Sequence, residues 1–220
     1  MGHVTDALRV YEADWPRSRM GRANDGGYLL FDVGEPDCFL SGGINGDNSF
    51  ERDVLDYWPS LYCSAYDPMG AQGDSHERYT FTRRPVPSFA SWVGHSKNAL
   101  VKLDIEGDEW PWLERAPLFR IAQLVIELHS PHLGRWSWPT LARLAESHCL
   151  VHAHGNNWDG IVDVDGVRVP GTLETTWLRW DLVLDARPNT QPIPGPLDAP
   201  NVPGRPDHVL NWAPFVGWTP

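Results

Sequence analysis

Short apolar, β-rich runs recur along the chain at Cys38 to Ile44, Leu61 to Tyr66, Tyr79 to Thr82, Leu100 to Ile105, Ala122 to Leu128, Leu150 to His154 and Thr175 to Leu184. Segments with helical spacing separate several of them: Ser49 to Tyr57, Ser88 to Ala99, Asp108 to Leu113 and Pro139 to His148. In the last of these, Leu141, Leu144 and Ala145 fall at i, i+3 and i+4 with polar Arg143 and Glu146 beside them, so that helix lays one apolar face on a sheet. Alternation of strands and helices predicts βαβ units and therefore an α/β fold on a mostly parallel sheet, with helices on both faces.

After Leu184 the pattern dissolves into Pro-rich sequence with Trp212, Phe215 and Trp218 near its end. The organisation expected is one domain over 1–185 and an extended arm over 186–220, docked by its aromatics. Its two destinations are a second copy of the chain, giving a homo-oligomer, or the chain's own body.

Composition narrows the class of function. The 220 residues suffice for one domain with a substantial core. A formal net charge of −11 opposes binding to polyanions, so no nucleic-acid partner is expected, and Arg83-Arg84 is too small a basic spot to change that. No apolar run is long enough to span a bilayer, and no basic segment followed by an apolar stretch opens the chain, so no membrane partner and a cytoplasmic location are the expectations. Cys38, Cys63 and Cys149 lack the spacing of a zinc or redox pair and read as free thiols in apolar runs. The twelve tryptophans admit stacking on sugar rings, with Trp136 and Trp138, after His129, as the better candidates. Most of the others fill space in apolar patterns.

Chemistry concentrates at the ends of the strands. Ser41-Gly42-Gly43-Ile44-Asn45-Gly46-Asp47 sets small residues between a strand and a helix, where glycine lets the chain turn sharply and a ligand approach closely. The adjacent glycines do not match the G-x-G-x-x-G of dinucleotide binders. The next strand ends in Asp67, positioned to accept hydrogen bonds from both hydroxyls of a ribose. Asp104 and Glu106 share a side of their strand if it stays extended through Ile105. Glu127 and His129 are two apart at the end of a strand predicted to be its neighbour, and a further strand closes with His152, His154, Asn156 and Asn157. Three strands ending in titratable groups converge on one ligand site, because open α/β sheets bind ligands beyond their carboxyl ends. No G-x-S-x-G elbow supports a hydrolase.

These motifs, together with Asp25-Gly26-Gly27-Tyr28 and the string Lys102-Leu103-Asp104-Ile105-Glu106-Gly107-Asp108-Glu109-Trp110, resemble the FkbM-type and METTL24-like methyltransferases over Arg22 to Arg179. The resemblance implies a Rossmann-like, seven-stranded class I methyltransferase sheet with an antiparallel last strand. It also implies S-adenosylmethionine as cofactor and methyl transfer, commonly to a hydroxyl oxygen. By the same resemblance Gly42, Gly43 and Asn45 approach the methionine and ribose portions and Asp67 holds the ribose. The Asp25-Gly26-Gly27-Tyr28 turn is expected to fold over the cofactor side, bringing Tyr28 with it.

The expected acceptor is a hydroxyl on a sugar, glycoconjugate or natural-product small molecule. Deprotonation has two routes. Asp104, Glu127 and His129 together offer the mixed ligands that Mg²⁺ or Mn²⁺ accepts, with His154 as base or supporting partner; alternatively Asp104 or His154 acts as a metal-free base. The rival from another class is a non-catalytic carbohydrate-binding or assembly protein, which leaves the strand-end acids without a purpose.

Overall fold

The structure, a computed structural model, describes residues 4–88, 95–131, 137–164 and 166–219. Residues 89–94 of the predicted helix Ser88 to Ala99, and 132–136 of the predicted loop after His129, lie outside the described residues.

Seven strands form one sheet: β1 (Cys38–Gly42), β2 (Cys63–Tyr66), β3 (Tyr79–Thr82), β4 (Ala99–Leu103), β5 (Ile121–His129), β6 (His148–Gly155) and β7 (Thr172–Arg179). Each contains one of the predicted apolar runs or at least half of it. Their spatial order is β3-β2-β1-β4-β5-β7-β6, with β7 antiparallel to both neighbours and the others parallel to one another. This is the Rossmann-like α/β arrangement expected, and the order reverses between β1 and β4, the switch point at which such sheets open a crevice. One neighbour relation differs from expectation. The strand carrying His152 and His154 does not lie beside β5, because β7 inserts between them and brings Glu174 into the row.

Helix α1 (Ser49–Tyr57) opens where the Asp47 carboxylate accepts the Ser49 N–H at 3.1 Å, and it buries Phe50, Val54 and Leu55. That stripe packs on the sheet face formed by Phe39, Cys63, Ala65, Leu100 and Val125. On the opposite face, α2 (Glu109–Arg115) and α3 (Ser137–Ser147) set Trp112, Leu113, Leu141 and Leu144 against Leu40, Val101, Leu124 and Ile126. Alternation of side chains along each strand assigns its two faces to the two cores. All three cysteines are free, with Cys63 and Cys149 buried and Cys38 half-buried.

A hairpin of Arg17–Met20 and Tyr28–Phe31 lies over the α1 face of the sheet. Sheet side chains tie it down. The Gln123 amide accepts the Phe31 N–H at 2.8 Å and donates to the Phe31 carbonyl at 3.0 Å, while the Thr176 hydroxyl donates to the Leu29 carbonyl at 2.8 Å. The hairpin thereby delivers Tyr28 to the carboxyl edge of the sheet.

The segment after Asp185 docks on the chain's own body. Ile193, Leu210 and Phe215 join the α2/α3 core, and the Trp218 indole donates to the Val10 carbonyl at 2.8 Å. No helix among the described residues is long and apolar enough to cross a membrane.

Gln123 is 2% exposed, so its replacement by leucine strands the Phe31 N–H, while the Phe31 carbonyl keeps the Val33 N–H. Gln123→Leu is expected to destabilise the fold by about 1–3 kcal/mol, the cost of one buried unpaired donor, read from the urea midpoint. An unchanged midpoint would contradict the tie between hairpin and sheet.

Candidate active site

A cleft of about 1250 Å³ opens at the carboxyl edge of β1, β2, β4 and β5, walled by the glycine turn after β1, the Asp67 loop, Asp104, Glu127, His129 and the Asn156–Asp159 loop.

The glycine turn is set by close backbone approach. Gly43 has φ +79°, and a Cβ placed there would meet the Asp104 carbonyl oxygen at 1.6 Å. No side chain fits. The Asp104 N–H donates to the Gly42 carbonyl at 3.0 Å, and the Lys102 ammonium donates to the Gly43 carbonyl at 2.6 Å. Asn45 adopts φ +46°, a conformation that asparagine tolerates better than most residues.

Asp67 accepts four backbone N–H groups, from Ile44 and Asn45 on Oδ2 at 2.9 and 2.8 Å and from Met69 and Gly70 on Oδ1 at 2.8 and 2.5 Å. Burial pushes this carboxyl up, but the four donors outweigh it and hold it below its usual range. An ionised carboxylate has about four acceptor sites, and here all are filled by the chain itself. The structure thus corrects the expected ribose contact: Asp67 staples the glycine turn to the Met69–Gly70 loop and shapes the wall instead.

Asp104, Glu127 and His129 come together. One ligand atom from each lies within 4.8 Å of the other two. The Tyr28 hydroxyl donates to Asp104 Oδ2 at 3.0 Å, and Asn156 Nδ2 donates to Glu127 Oε1 at 2.7 Å. Glu127 is 4% exposed; burial first, then the charges of Asp104 and Glu174, raise it well above the carboxylate range. Burial lowers the His129 imidazole, yet the adjacent Glu109 carboxylate, with Asp104 and Glu106 beyond, raises it on balance. Its Nδ1 lies 3.3 Å from Glu109 Oε1 without the alignment of a hydrogen bond, so it remains a buried nitrogen without a partner.

Glu106 departs from expectation. β4 ends at Leu103, Glu106 turns to φ +56°, and its side chain is 86% exposed, 3.4 Å from His129 Nε2. It does not share the position of Asp104.

His154 is corrected too. It is fully buried, Nδ1 lies 2.8 Å from Glu174 Oε2, and Nε2 lies 3.0 Å from Asp207 Oδ2. Burial disfavours its charge, but hydrogen bonds donated to the two carboxylates dominate and push it up to about 10. An imidazolium with both N–H groups engaged has no lone pair to take a proton, so His154 is not the base. It supports the site through Glu174, whose Oε1 accepts Asn201 Nδ2 at 2.5 Å and which lies opposite Glu127 across the β5–β7 pair.

Several contributors are not among the site residues expected from the chain. Lys102 is 4% exposed inside an apolar strand, and its charge acts on the buried Glu51. Glu174 precedes the predicted strand run, and Asn201 belongs to the C-terminal segment. Glu109, wholly buried, accepts the His129 and Gly107 N–H groups at 2.7 and 2.8 Å. Of the two tryptophans favoured for stacking, Trp138 packs against the core and Trp136 lies outside the described residues. Trp158 is the exposed indole that lines the cleft.

No family model matches the chain, and no curated protein matches it. Among solved structures, it aligns with the pyocyanin biosynthetic protein PhzM at 14% identity and TM-score 0.34, over 68% of this chain and 52% of that one. It aligns with a fibrillarin/Nop5p complex at 10% identity and TM-score 0.41, over 64% of this chain and 72% of that one. With the mitomycin 7-O-methyltransferase MmcR the values are 13% and 0.36, over 66% and 49%. The aligned region spans about half the length of PhzM and of MmcR.

Because the His154 imidazolium is raised from its ordinary 6.5 to about 10, its contribution to stability is complete below pH 6.5 and is lost as pH rises through 10. His154→Gln is therefore expected to lower the melting temperature at pH 7, by the equivalent of roughly 3–5 kcal/mol for breaking a buried ion pair. It should also flatten the decline between pH 7 and 10. Parallel wild-type and variant melting curves across that range would refute the assignment.

Proposed function

We propose that the cleft is the active site of an S-adenosylmethionine-dependent O-methyltransferase acting on a hydroxyl of a small-molecule or glycan acceptor, with a divalent cation, Mg²⁺ or Mn²⁺, at Asp104, Glu127 and His129. The observation that carries this reading is the placement of those three side chains beside the Gly42-Gly43 turn at the switch point of the sheet.

The residues present suit both groups. Lys102 and Arg22 lie in the cleft wall beside the glycine turn, matched to the carboxylate of a methionine moiety, and Asp47 offers negative charge to its ammonium and sulfonium. The main chain at Gly42, Gly43 and Asn45 has no bulk to keep such a ligand away. For the cation, two carboxylates and an imidazole, with one ligand atom of each within 4.8 Å of the others, form a donor set of the kind that Mg²⁺ or Mn²⁺ accepts. Tyr28 and Asn156 each grip one oxygen of Asp104 and Glu127, fixing both carboxyls while leaving each a second oxygen.

When bound, the cofactor supplies an electrophilic methyl carbon and the cation acidifies a coordinated hydroxyl. In the transfer, a C–O bond forms as the C–S bond breaks, S-adenosylhomocysteine leaves and the acceptor oxygen loses its proton. The protein's share is alignment of oxygen, carbon and sulfur, and a destination for that proton. Asp104 and Glu127 are the groups within the cluster able to receive it. Burial and the neighbouring charges of Asp104 and Glu174 push Glu127 upward, which suits it to hold that proton.

Calorimetry is expected to show S-adenosylhomocysteine binding to the wild type and, within about twofold, to Asp104→Ala and Glu127→Ala. Mn²⁺ titration followed by electron paramagnetic resonance should show one site in the wild type and none in either variant. Absence of S-adenosylhomocysteine binding would overturn the methyltransferase reading; a missing Mn²⁺ and Mg²⁺ site would overturn metal assistance alone and leave the acid pair as the base.

A further inference from the structure

Trp158 is large, apolar and 68% exposed, yet it lines the cleft that holds the acid cluster. It is also held in place. Its backbone N–H donates to Asn156 Oδ1 at 2.9 Å, and the same Asn156 amide donates to Glu127 Oε1 at 2.7 Å, so one side chain sets both the indole and a member of the cluster. The Arg205 guanidinium lies 5.1 Å from the ring centroid. A guanidinium over one face of an indole restrains it and leaves the opposite face free to stack. A positioned, solvent-facing ring in such a cleft is a platform for a ligand, since a core role would have buried it.

The charge around that platform selects what stacks there. Nine carboxyl side chains and three Lys or Arg side chains line the cleft among the described residues. Glu51 is raised by burial and Arg205 stands at the indole, so eight carboxyls face four side-chain cations. A divalent cation would add two positive charges and the cofactor a single net one, which still leaves the carboxyls in excess. The cleft stays negative, and walls of one sign focus the field into it.

We propose that the methyl acceptor is a saturated six-membered polyol carrying a protonated amine, as in an amino sugar or aminocyclitol. Its ring lies on Trp158 and its ammonium among the cleft carboxylates. A flat aromatic acceptor would use the indole but not the charge, and a phosphorylated or uronic acid acceptor is repelled. The inference rests on the cleft's being the acceptor site of a methyltransferase, and it makes Trp158 and the acidic wall its specificity determinants.

The test is a binding panel against the full chain with Mn²⁺ and S-adenosylhomocysteine present, read by saturation-transfer NMR and calorimetry. The probes are methyl α-glucosaminide, its N-acetyl derivative, glucuronic acid and catechol. N-acetylation keeps the ring and removes the charge. Glucosaminide is expected to bind at least about fivefold more tightly than its N-acetyl form, a difference that shrinks with added salt, and glucuronic acid not to bind. Trp158→Ala should weaken glucosaminide at least about fivefold, and Trp158→Phe should retain most of the affinity, with S-adenosylhomocysteine binding unchanged in both. Equal binding of the N-acetyl form, preference for catechol, no glucosaminide binding, or full binding by Trp158→Ala overturns the proposal. If S-adenosylhomocysteine fails to bind while glucosaminide still depends on Trp158 and on its charge, the methyltransferase reading falls and the ligand assignment stands.

Discussion

Two glutamates face each other across the β5–β7 pair: Glu127 and Glu174 are direct register partners, both almost wholly buried. Like charges directly opposite on antiparallel strands repel, and burial removes the water that would screen them. Much of the architecture at the carboxyl edge answers this one conflict. Glu174 is matched by His154, its register partner on β6, and by Asn201. Among the described residues Glu127 has the Asn156 amide and, at 3.8 Å and beyond hydrogen-bond reach, the His129 imidazole. The unequal treatment of two opposed acids separates their roles. Glu174 is neutralised within the protein, whereas Glu127 keeps an unmet demand for positive charge that faces the cleft.

The same conflict explains why the C-terminal segment belongs to the fold. His154 carries its charge between two carboxylates, and the second, Asp207, comes from that segment. One turn of the pleat away, His152 pairs with Asp198 at 2.8 Å; burial pushes Asp198 up, but His152 prevails and holds it at about 2. Two histidines spaced by the strand period thus fasten one chain segment by charge, and Leu210 and Phe215 fasten it by burial. The loop that carries Arg205 to Trp158 lies between these anchors. Electrostatic repair of the sheet edge and construction of the cleft rim are done by the same residues.

Much of this was legible in the chain, and the boundary falls along a physical line. Seven apolar runs became seven strands because a buried parallel strand must be apolar on both faces and is bounded by turns. Helix α1 spans the predicted Ser49 to Tyr57 because its stripe repeats at helical spacing and Asp47 caps its start. The pairing of Asp104 with Glu127 and His129 followed from β4 and β5 being neighbours, which the βαβ rule supplies. What escaped depends on contacts between distant residues that leave no periodic trace. Glu174 lay just outside the predicted Thr175 to Leu184 run, and its pairing with His154 appears only once β7 enters between β5 and β6. Asp67 carried the position of a ribose acid but not its freedom, since Ile44, Asn45, Met69 and Gly70 reach it only once two loops have folded. Trp158 was not set apart, and Trp136 and Trp138 were favoured instead, because exposure is a property of the packed chain.

Placing the acids on strands instead of loops has a mechanistic consequence. Glu127 sits within β5, Asp104 one residue beyond β4, and the N–H of Asp104 is fixed to the Gly42 carbonyl across the sheet. Motion of either carboxyl by even half an ångström would have to deform ladder hydrogen bonds or displace Tyr28 and Asn156. The glycine turn is locked to the same point, since Gly43 packs on the Asp104 carbonyl with no room for a methyl group. The glycine turn and the acid pair are therefore one rigid unit, held together by contacts between β1 and β4. An in-line displacement requires a nearly fixed separation between the two reacting partners. For the transfer proposed above, rigidity at the β1–β4 junction would supply that fixed frame, and it would confine adaptation to different acceptors to the rim, where Trp158 and the loops around it could differ without disturbing the acid cluster.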